Sequence, residues 1–579
     1  MSWGVATQNG VSVSLASIVS LSCGATEFSP ASLFTSGVAG AWYDPSDTST
    51  LFQDSAGTTP VTAVEQPVGL MLDKSQGLAA SAELVPDYDF ATPASWTPET
   101  ADWVVSGGKA TYTKPGAGVQ YLQSNDNISI VSGTWYKVTY TISGIAASNN
   151  AIFGLFNKTA STNYLGGYQT ITANGTYSIY FLATSSTTGI RIYGNAGSTS
   201  ASWSFESFGI KSIAGNHASQ ATAASRPVLR ARYNLLTYSE QFDNAAWSKP
   251  NATITANAAV APDGTTTADL VTATNAADAT CNQTALGVNA AGRVLTFTFY
   301  ARCASGTVTL PVLGDDGTGK FWSNPSTNKV TVTTAWQQFT VTGTAPALSA
   351  ANARAGFGGF TTWTTGDAVY IWGADLRTGS SAGTYQRIAA ATDYATAGFL
   401  PYLYFVTDDS FGTNSIDFTA TDKMAVVAGM TKLSDASVSI PFELSANHVA
   451  NAGSFALYAS ASALPNYEFR MTSTANAYRT ATTYTAPITN VLSCAYDIAQ
   501  STVATEIVPK VNGATPTLVD SGSAGTGNFG NYPLFIGRRN NATFPFNGNL
   551  YQLIVCGKTL SASELASTEA YVNSKTGAY

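Results

Sequence analysis

The sequence predicts an all-β protein built from several antiparallel β-sandwiches of the jelly-roll kind. Only 11% of its 579 residues are charged, while Gly numbers 51 and Tyr 28, so the residues that amphipathic helices need are scarce. Short segments of alternating apolar and polar residues recur between turn-forming residues, which is the pattern of strands. The length exceeds what one hydrophobic core supports and indicates three or four domains.

The first 39 residues are predicted to anchor the chain or to mediate oligomerisation. Apolar and small polar residues alternate between Val11 and Leu21, as in a half-buried strand. The first basic residue is Lys74, so this stretch lacks the positive region of a signal peptide. We expect synthesis in the cytoplasm without an export signal, and docking of this strand onto a neighbouring protein or another subunit.

The next motifs indicate a domain that is interrupted by insertions. The segments WYDPSDTSTLFQDSAG (42–57) and QPVGLMLDKS (66–75) resemble the opening of bacteriophage virion proteins that carry a lectin-like sandwich. In those proteins the second segment continues directly into a GNHA motif. Here GNHASQATAASRPVL lies at 215–229, so an inserted segment separates the two halves.

The C-terminal motifs complete this interrupted domain. The segments LFIGRRNNATFPFNGNLYQLIV (534–555) and LSASEL (560–565) resemble the end of the concanavalin A-like, laminin-G-like jelly-roll family. Ser561 and Glu564 have the spacing of a capping box at the start of a helix. The resemblance implies a discontinuous sandwich made of residues 40–79, 214–233 and 389–579.

The two inserted segments repeat one plan, which predicts two related modules at 80–213 and 234–388. Each opens on an aromatic motif, LVPDYDF (84–90) or NLLTYSEQF (234–242), and each closes on a long strand pattern. Both resemble carbohydrate-binding modules of the galactose-binding-like jelly-roll type. Trp96 and Trp247 occupy equivalent places and are predicted to be core residues, as is Trp135.

Charge and residue counts exclude several classes of function. A net charge of -8 with 27 thinly spread Lys and Arg argues against nucleic acid as a partner. No run of eighteen apolar residues is present, which argues against a membrane span. Five widely spaced cysteines are predicted to be buried thiols, and two histidines are too few for a zinc site or a serine triad.

Aromatic residues in polar loops are the first candidates for glycan contact. Trp322 lies in the Gly-rich loop DDGTGKFWSNP (315–325), Trp363 lies between Thr and Gly positions, and Tyr164 and Tyr168 flank two glycines. Packing or subunit contact is the alternative role for each. In the C-terminal sandwich the candidates that share one edge are Tyr478, Arg479, Arg538 and Asn540. The alternative there is that the arginines pair with carboxylates on a solvated rim.

No cofactor is expected from the residues themselves. Calcium is implied only by the family resemblance, because acidic pairs such as Asp315 with Asp316 lack the spacing of a loop site. A glycan depolymerase needs two carboxylates facing each other across a groove, and the adjacent pair Asp408 and Asp409 is expected to point to opposite faces of a strand. We therefore expect no enzymatic activity.

The resemblances together imply a bacteriophage virion protein exposed on the particle surface. The favoured role is a tail fibre or receptor-binding protein, a homo-oligomer and preferably a trimer, that recognises host cell-surface polysaccharide. Other virion proteins would be its partners through the N-terminal strand. A head fibre or capsid decoration protein with glycan-adhesive modules is the alternative, and a polysaccharide depolymerase is a third.

Overall fold

A computed structural model describes most of the chain. The residues it describes are 7–8, 11–12, 28–114, 118–146, 150–159, 162–195, 201–231, 233–275, 279–289, 294–315, 329–344, 352–359, 363–378, 382, 385–390, 400–406 and 408–579. Trp322 and most of the predicted N-terminal strand therefore lie outside the described residues.

Strands dominate the structure, and every strand pair among the described residues is antiparallel. The strands up to the end of the first insertion are β1 (Thr7–Gln8), β2 (Val11–Ser12), β3 (Gly40–Tyr43), β4 (Leu51–Phe52), β5 (Leu70–Met71), β6 (Trp96–Pro98), β7 (Trp103–Ser106), β8 (Lys109–Lys114), β9 (Val119–Ser124), β10 (Trp135–Ser143), β11 (Ala151–Asn157), β12 (Gln169–Ile171), β13 (Gly175–Leu182), β14 (Ile190–Asn195) and β15 (Ala201–Ile213).

The strands from there to the end of the second insertion are β16 (Ala218–Ser219), β17 (Val228–Arg230), β18 (Ala252–Ala259), β19 (Ala268–Ala273), β20 (Thr280–Asn289), β21 (Val294–Arg302), β22 (Val308–Asp315), β23 (Lys329–Val332), β24 (Gln337–Thr344), β25 (Asn352–Gly358) and β26 (Ala368–Thr378).

The C-terminal strands are β27 (Tyr402–Phe405), β28 (Phe411–Asp417), β29 (Lys423–Lys432), β30 (Phe442–Leu444), β31 (Ser454–Tyr458), β32 (Asn466–Thr472), β33 (Asn476–Thr482), β34 (Ile488–Asp497), β35 (Ile507–Val511), β36 (Leu518–Gly522), β37 (Asn531–Ile536) and β38 (Gly548–Cys556). The helices are α1 (Val503–Glu506), α2 (Ala562–Thr576) and the 3-10 turns Pro30–Gly37, Thr48–Thr50, Pro93–Ser95 and Ala223–Ser225. The predicted all-β fold class is confirmed.

Two large sheets face each other in what we call the central sandwich. One sheet has the strand order β36-β33-β32-β31-β30-β37-β28-β16-β5-β4. The other has the order β17-β27-β38-β29-β34-β35, and β3 also pairs with β38. Their shared core draws buried residues from 41–71, 218–229 and 403–555, so three segments that are far apart in sequence close one core.

Helix α2 covers the outer side of the second sheet of the central sandwich. Its Val572 packs with Trp42, Val427 and Ile554 in a separate apolar cluster. The helix begins with the predicted capping box, because Ser561 Oγ accepts from the Glu564 amide and the Glu564 carboxylate accepts from the Ser561 amide. It ends at Gly577, which adopts a left-handed φ of 63°.

The two inserted modules have the same sheet topology. One sheet of the first module runs β7-β8-β15-β10-β13, and its counterpart in the second module runs β18-β19-β26-β21-β24. The other sheet runs β6-β9-β14-β11-β12 in the first module and β20-β25-β22-β23 in the second. The matching orders show that the sequence repeat is a structural repeat, in which an isolated bridge between Ser248 and Asn282 takes the place of the short edge strand β6 in the second module.

The aromatic openings of the two modules are core residues in both. Trp96 packs on Phe90 with ring centroids 5.2 Å apart, and Trp247 packs on Phe242 at 4.8 Å. Both tryptophans are buried, as predicted. Trp135 is also buried, but it lies in a cluster between the first module and the central sandwich rather than in the module core.

That cluster is the apolar contact between the first module and the central sandwich. It joins Phe52, Leu70 and Leu72 of the sandwich to Trp135, Tyr180 and Ile213 of the module, and the Phe52 and Tyr180 rings lie 5.0 Å apart. The Asn414 amide donates to the Gly133 carbonyl across the same boundary at 2.9 Å. The module is therefore packed against the sandwich and not merely tethered to it.

Candidate functional site

The solvent-facing side of one sheet of the first module carries a row of aromatic rings. Side chains alternate between the two faces of a strand, so Leu122 and Ile192 point into the core while their neighbours point outward. The outward rings are those of Tyr121 on β9, Tyr193 on β14 and Phe156 on β11, joined by Tyr168 from the loop before β12. We call these four residues the aromatic face.

The register of the strands places these rings side by side. Tyr193 is opposite Tyr121 on β9 and opposite Gly154 on β11. Ring centroids are 5.4 Å apart for Tyr121 and Tyr193, 4.5 Å for Tyr193 and Phe156, and 6.0 Å for Phe156 and Tyr168. These spacings are those of tilted aromatic pairs in contact, so the four rings form one continuous apolar strip across three strands.

Gly154 has no side chain, which leaves room for the Phe156 and Tyr168 rings above the middle of the sheet. A Cβ atom at this position would lie 2.7 Å from Phe156 Cε2 and 3.3 Å from both Tyr168 Cδ1 and Asn163 Nδ2. Real Cβ atoms do not come as close as the first of these distances, so any side chain here would push the Phe156 ring aside. The glycine is therefore needed for the shape of the aromatic face.

The aromatic face is accessible at its polar atoms. Tyr168 is 40% exposed, and the hydroxyls of Tyr121, Tyr168 and Tyr193 make no hydrogen bond to the residues that the structure describes. Partial burial, with a contribution from nearby Tyr193, raises the pKa of Tyr168 above its ordinary value, so this phenol stays protonated at neutral pH and can donate. The face thus offers apolar ring surfaces together with hydroxyl donors.

A basic residue borders the aromatic face. The Arg191 guanidinium lies 4.4 Å from the centroid of the Tyr121 ring, and its Nε donates to Gln123 Oε1 at 2.9 Å. In register, Arg191 is opposite Gln123 on one side and Phe156 on the other. Stacking on Tyr121 and the bond to Gln123 hold the guanidinium beside the rings.

The matching sheet of the second module has a different outer surface. Its described strand residues that face outward include Asn282, Leu313 and the ion pair of Arg354 with Asp315, whose Nε and Oδ1 atoms are 2.6 Å apart. The one aromatic side chain described on these strands, Phe357, is buried in the module core. The aromatic face is therefore a property of the first module only, as far as the described residues extend.

The structure separates the two tyrosines predicted beside the glycine pair. Tyr168 belongs to the aromatic face. Tyr164 is buried in the module core, where its ring stacks on Phe181 at 5.2 Å and its hydroxyl donates to the Ser185 carbonyl at 2.9 Å. Tyr164 therefore has the packing role that the sequence analysis gives as the alternative to glycan contact.

Trp363 is likewise a core residue of the second module. It is 1% exposed, and its ring closes against Gly358, which has a positive φ of 86°. Such burial leaves no surface for a ligand to stack on. Trp322 cannot be assigned a place, because it lies outside the described residues.

The arginines predicted at the edge of the C-terminal sandwich are held by carboxylates. Arg479 Nε is 2.6 Å from Asp520 Oδ1, and Arg538 Nη1 is 3.1 Å from Asp408 Oδ1. Asn540 is exposed in the loop after Arg538, with a left-handed φ of 49°. These contacts match the ion-paired alternative given from the sequence.

Tyr478 takes part in a stacked arrangement on the outer face of the ten-stranded sheet. The Arg470 guanidinium lies between two rings, 4.7 Å from the centroid of Tyr478 and 4.1 Å from that of Tyr458. One face of the Tyr478 ring is therefore occupied by Arg470. The structure does not bring Tyr478 together with Arg479, because successive side chains of β33 point to opposite faces.

Of the acidic residues considered for calcium, Asp316 lies outside the described residues. Arg354 binds both carboxylate oxygens of Asp315, and Asp408 is bound by Arg538. Throughout the described ranges no three His, Cys, Asp or Glu side chains are grouped so that they could hold a metal ion. The calcium that the family resemblance implies therefore has no such group of acidic ligands among the described residues.

The cysteine and membrane predictions can also be compared with the structure. Cys281, Cys303, Cys494 and Cys556 are buried free thiols, as predicted, while Cys23 lies outside the described part. Among the described residues, none of the helices has the length and apolar character needed to cross a membrane.

The sequence did contain a signal for the aromatic face. Tyr121 and Tyr193 alternate with the core residues Leu122 and Ile192, and they occupy the side of each strand where polar residues are usual. Aromatic residues on the polar side of two strands are the sign that a surface is specialised. The sequence does not show which strands pair. It therefore could not predict that Phe156 lies between Tyr193 and Tyr168.

Comparison with known proteins gives distant structural matches only. The sequence matches no protein-family profile and no curated protein. The chain is similar to the tandem CBM22-1–CBM22-2 domains of Xyn10C from Paenibacillus barcinonensis, with 10% identity over 52% of this chain and 97% of that chain and a TM-score of 0.27.

Two further solved structures show weaker similarity. A CBM4 structure is 16% identical over 27% of this chain and 88% of that chain, with a TM-score of 0.17. The M60 catalytic domain with CBM51-1 and CBM51-2 of ZmpB from Clostridium perfringens is 9% identical over 50% of this chain and 38% of that chain, with a TM-score of 0.15. TM-scores this low do not establish a shared fold.

Proposed function

We propose that this protein is a non-enzymatic glycan-binding protein and that the aromatic face of the first module is its sugar-binding surface. The observation that carries the proposal is the row of four outward rings on one sheet. The face of a pyranose ring is a set of C–H groups, which pack well on aromatic rings, while its hydroxyls need polar partners. Tyrosine hydroxyls and the Arg191 guanidinium supply such partners beside the rings.

The exposure of four contiguous aromatic rings to solvent is unfavourable unless a ligand covers them. Apolar rings gain free energy from burial, and soluble proteins rarely leave contiguous apolar patches exposed unless a partner covers them. Three rings on a regular sheet and a fourth from the adjoining loop are in mutual contact, and Gly154 preserves their packing, so we expect their surface to be rigid. A rigid aromatic surface binds with little loss of side-chain entropy, which suits the weak, repeated contacts of a polysaccharide.

The absence of enzymatic activity is part of the proposal. The adjacent carboxylates Asp408 and Asp409 have separate partners, since Asp408 binds Arg538 and Asp409 Oδ2 accepts from the Val406 amide at 2.9 Å. Burial raises the pKa of Asp409 to about 6, but its carboxylate is turned towards its own loop. Incubation with each bound polysaccharide, followed by analysis of reducing ends and chain length, tests this; shortened chains would make the protein a depolymerase.

We further propose that the protein is displayed on a bacteriophage particle as an oligomeric tail fibre or receptor-binding protein. Support comes from the motifs at 42–57, 66–75, 215–229 and 534–555 and their resemblance to virion proteins. Linking several weak sites in a trimer would raise avidity by about 10²–10⁴ over a single site. Antibody labelling of particles tests the location: label on the head instead of the tail would favour the head fibre or decoration protein.

The binding surface is tested by a glycan panel with matched variants. We expect saturable binding that Tyr193→Ala and Phe156→Ala each weaken roughly tenfold, because loss of one stacking ring costs on the order of 1.4 kcal/mol. Tyr88→Ala is the control, since Tyr88 is 47% exposed but lies outside the aromatic face. Equal weakening by all three variants, or no effect of the first two, would exclude the aromatic face as the site.

A further inference from the structure

We infer that the aromatic face selects acidic polysaccharides, and that the guanidinium of Arg191 binds the carboxylate of a uronic acid whose ring stacks on the neighbouring rings. This inference rests on the proposed function and adds the class of glycan and the residue that selects it. It begins from the place of Arg191, which is flanked by Phe156 and Gln123 in the strand register and stacked on Tyr121.

Arg191 is not neutralised within the protein as far as the structure shows. Most other described arginines bind a carboxylate, including Arg230, Arg354, Arg377 and Arg539. Arg191 makes no ion pair with any described residue, and of its nitrogen atoms only Nε has a described partner, the neutral Gln123. Among the described residues, the positive charge of Arg191 therefore has no counter-charge, and it lies beside an exposed aromatic strip.

The orientation of the guanidinium restricts the ligand that it would bind. The guanidinium lies over the Tyr121 ring and its Nε donates to Gln123, while its two terminal nitrogens have no hydrogen-bond partner among the described residues. Two parallel N–H groups match the two oxygens of a planar carboxylate. A uronic acid carries that carboxylate on the edge of its pyranose ring, so one residue can stack on the aromatic face and reach Arg191 at the same time.

A second cation lies at the same end of the aromatic face. Lys158 follows β11 directly, and its Nζ donates to the carbonyl of Ser124, the residue after Gln123, at 2.7 Å. The acidic Glu99 lies on the other side of β9 from β14, where its carboxylate accepts from the Tyr121 amide at 3.2 Å. The Arg191 end of the face is therefore positive, which favours anionic chains over neutral ones.

The decisive experiment compares polyuronates with the same polymers after carboxyl reduction, which removes the charge and keeps the ring and linkage. Polygalacturonate, alginate and hyaluronan are each tested in both forms with the full-length protein. We expect at least one polyuronate to bind tenfold or more tightly than its reduced form. Arg191→Gln should remove this preference, so that the two forms bind with equal affinity, whereas Tyr193→Ala should weaken both forms and keep the preference.

The control variant is Arg302→Gln in the second module. Arg302 is also stacked on aromatic rings, 4.5 Å from the centroid of Tyr370 and 5.3 Å from that of Trp336, so it matches Arg191 in charge and environment. Equal loss from Arg302→Gln would show non-specific charge attraction and overturn the inference. Equal binding of acidic and reduced polymers would overturn the inference and leave the proposed function standing.

The remaining outcomes are also informative. Binding of neutral glycans alone, sensitive to Tyr193→Ala but not to Arg191→Gln, would support a sugar site and reject acidic selectivity. No binding of any polyuronate would overturn the inference. If Tyr193→Ala, in addition, had no effect on any bound glycan of the wider panel, the proposed function would fail as well.

Discussion

Gly154 shows how one residue controls the shape of the candidate binding surface. Gly154 does not have a positive φ, so a substitution there causes no backbone strain and tests only the steric effect of an added side chain. Gly154→Ala would place a methyl group 2.7 Å from the Phe156 ring and displace that ring from the row. We expect roughly tenfold weaker glycan binding with little change in unfolding temperature, measured by affinity electrophoresis and thermal unfolding.

Gly167→Ala is the matched control for this prediction. Gly167 lies in the loop just before Tyr168, and a Cβ atom there would meet nothing within 4 Å. Its substitution should leave binding unchanged. If Gly154→Ala bound as well as the unmodified protein, the close packing of the rings would not matter for recognition.

His217 is expected to make the stability of the central sandwich depend on pH. It is fully buried against Trp135, its Nδ1 accepts from the Asp73 amide at 3.0 Å, and burial lowers its pKa to about 3. The unfolded chain binds a proton at this residue below about pH 6.5, whereas the folded protein does not. The free energy of unfolding should therefore fall with decreasing pH, starting near pH 6.5.

The His217→Gln variant isolates this effect, because glutamine can keep an acceptor for the Asp73 amide. Between pH 6.5 and 5 the unmodified protein should lose about 2 kcal/mol more unfolding free energy than the variant, at about 1.4 kcal/mol per pH unit for one proton. Denaturant unfolding at several pH values measures the difference. The same pH dependence in both proteins would mean that His217 does not remain neutral in the folded state.

At the scale of elements, the capping box of α2 is the clearest link from sequence to structure. Ser561→Ala removes the acceptor for the Glu564 amide and should lower the unfolding free energy by about 1 kcal/mol. Ser567→Ala is the control, because Ser567 lies within the helix and alanine there has at least equal helix propensity. We expect thermal unfolding to show a lower stability for Ser561→Ala than for Ser567→Ala. Equal stability of the two variants would show that the cap contributes nothing.

The paired modules show how elements can be conserved in arrangement and differ in surface. Both modules have the same strand order, and both bury the opening aromatic pair, Phe90 with Trp96 and Phe242 with Trp247. Core positions are restricted by packing density, whereas outward positions are not. The first module uses this freedom for the aromatic face and the second for an Arg354–Asp315 ion pair.

At the scale of the whole molecule, the first module is predicted to unfold together with the central sandwich. Tyr180 packs on Phe52 across the boundary, and its amide donates to the Ala56 carbonyl at 2.6 Å. Tyr180→Ala removes a buried ring at this contact and should cost about 3 kcal/mol of coupling. We expect calorimetry to show one shared transition in the unmodified protein and a separate, earlier transition of the module in the variant.

Tyr88→Ala, which removes an exposed ring of the same module, should keep the shared transition. Separate transitions already present in the unmodified protein would contradict the prediction and show that the module unfolds on its own. The position of the aromatic face relative to the central sandwich depends on this contact, because a firmly packed module presents its rings in a fixed direction.

The sequence by itself determined the fold class, the repeat and the helix cap. Strand alternation, turn residues and the Ser561–Glu564 spacing are local signals, and local signals fix local structure. The burial of Trp96 and Trp247 followed from their repeated positions. The exact domain boundaries remain a prediction of the sequence.

The tertiary structure decided which aromatic residues are on the surface. Trp363 and Tyr164 stand in polar, Gly-rich sequence but are buried, because their side chains pack into the apolar cores of the two modules. Tyr121, Tyr193 and Phe156 are up to 72 residues apart in sequence and meet only because β9, β14 and β11 are neighbours in one sheet. Strand pairing brings distant residues together, and no local pattern records which strands will pair.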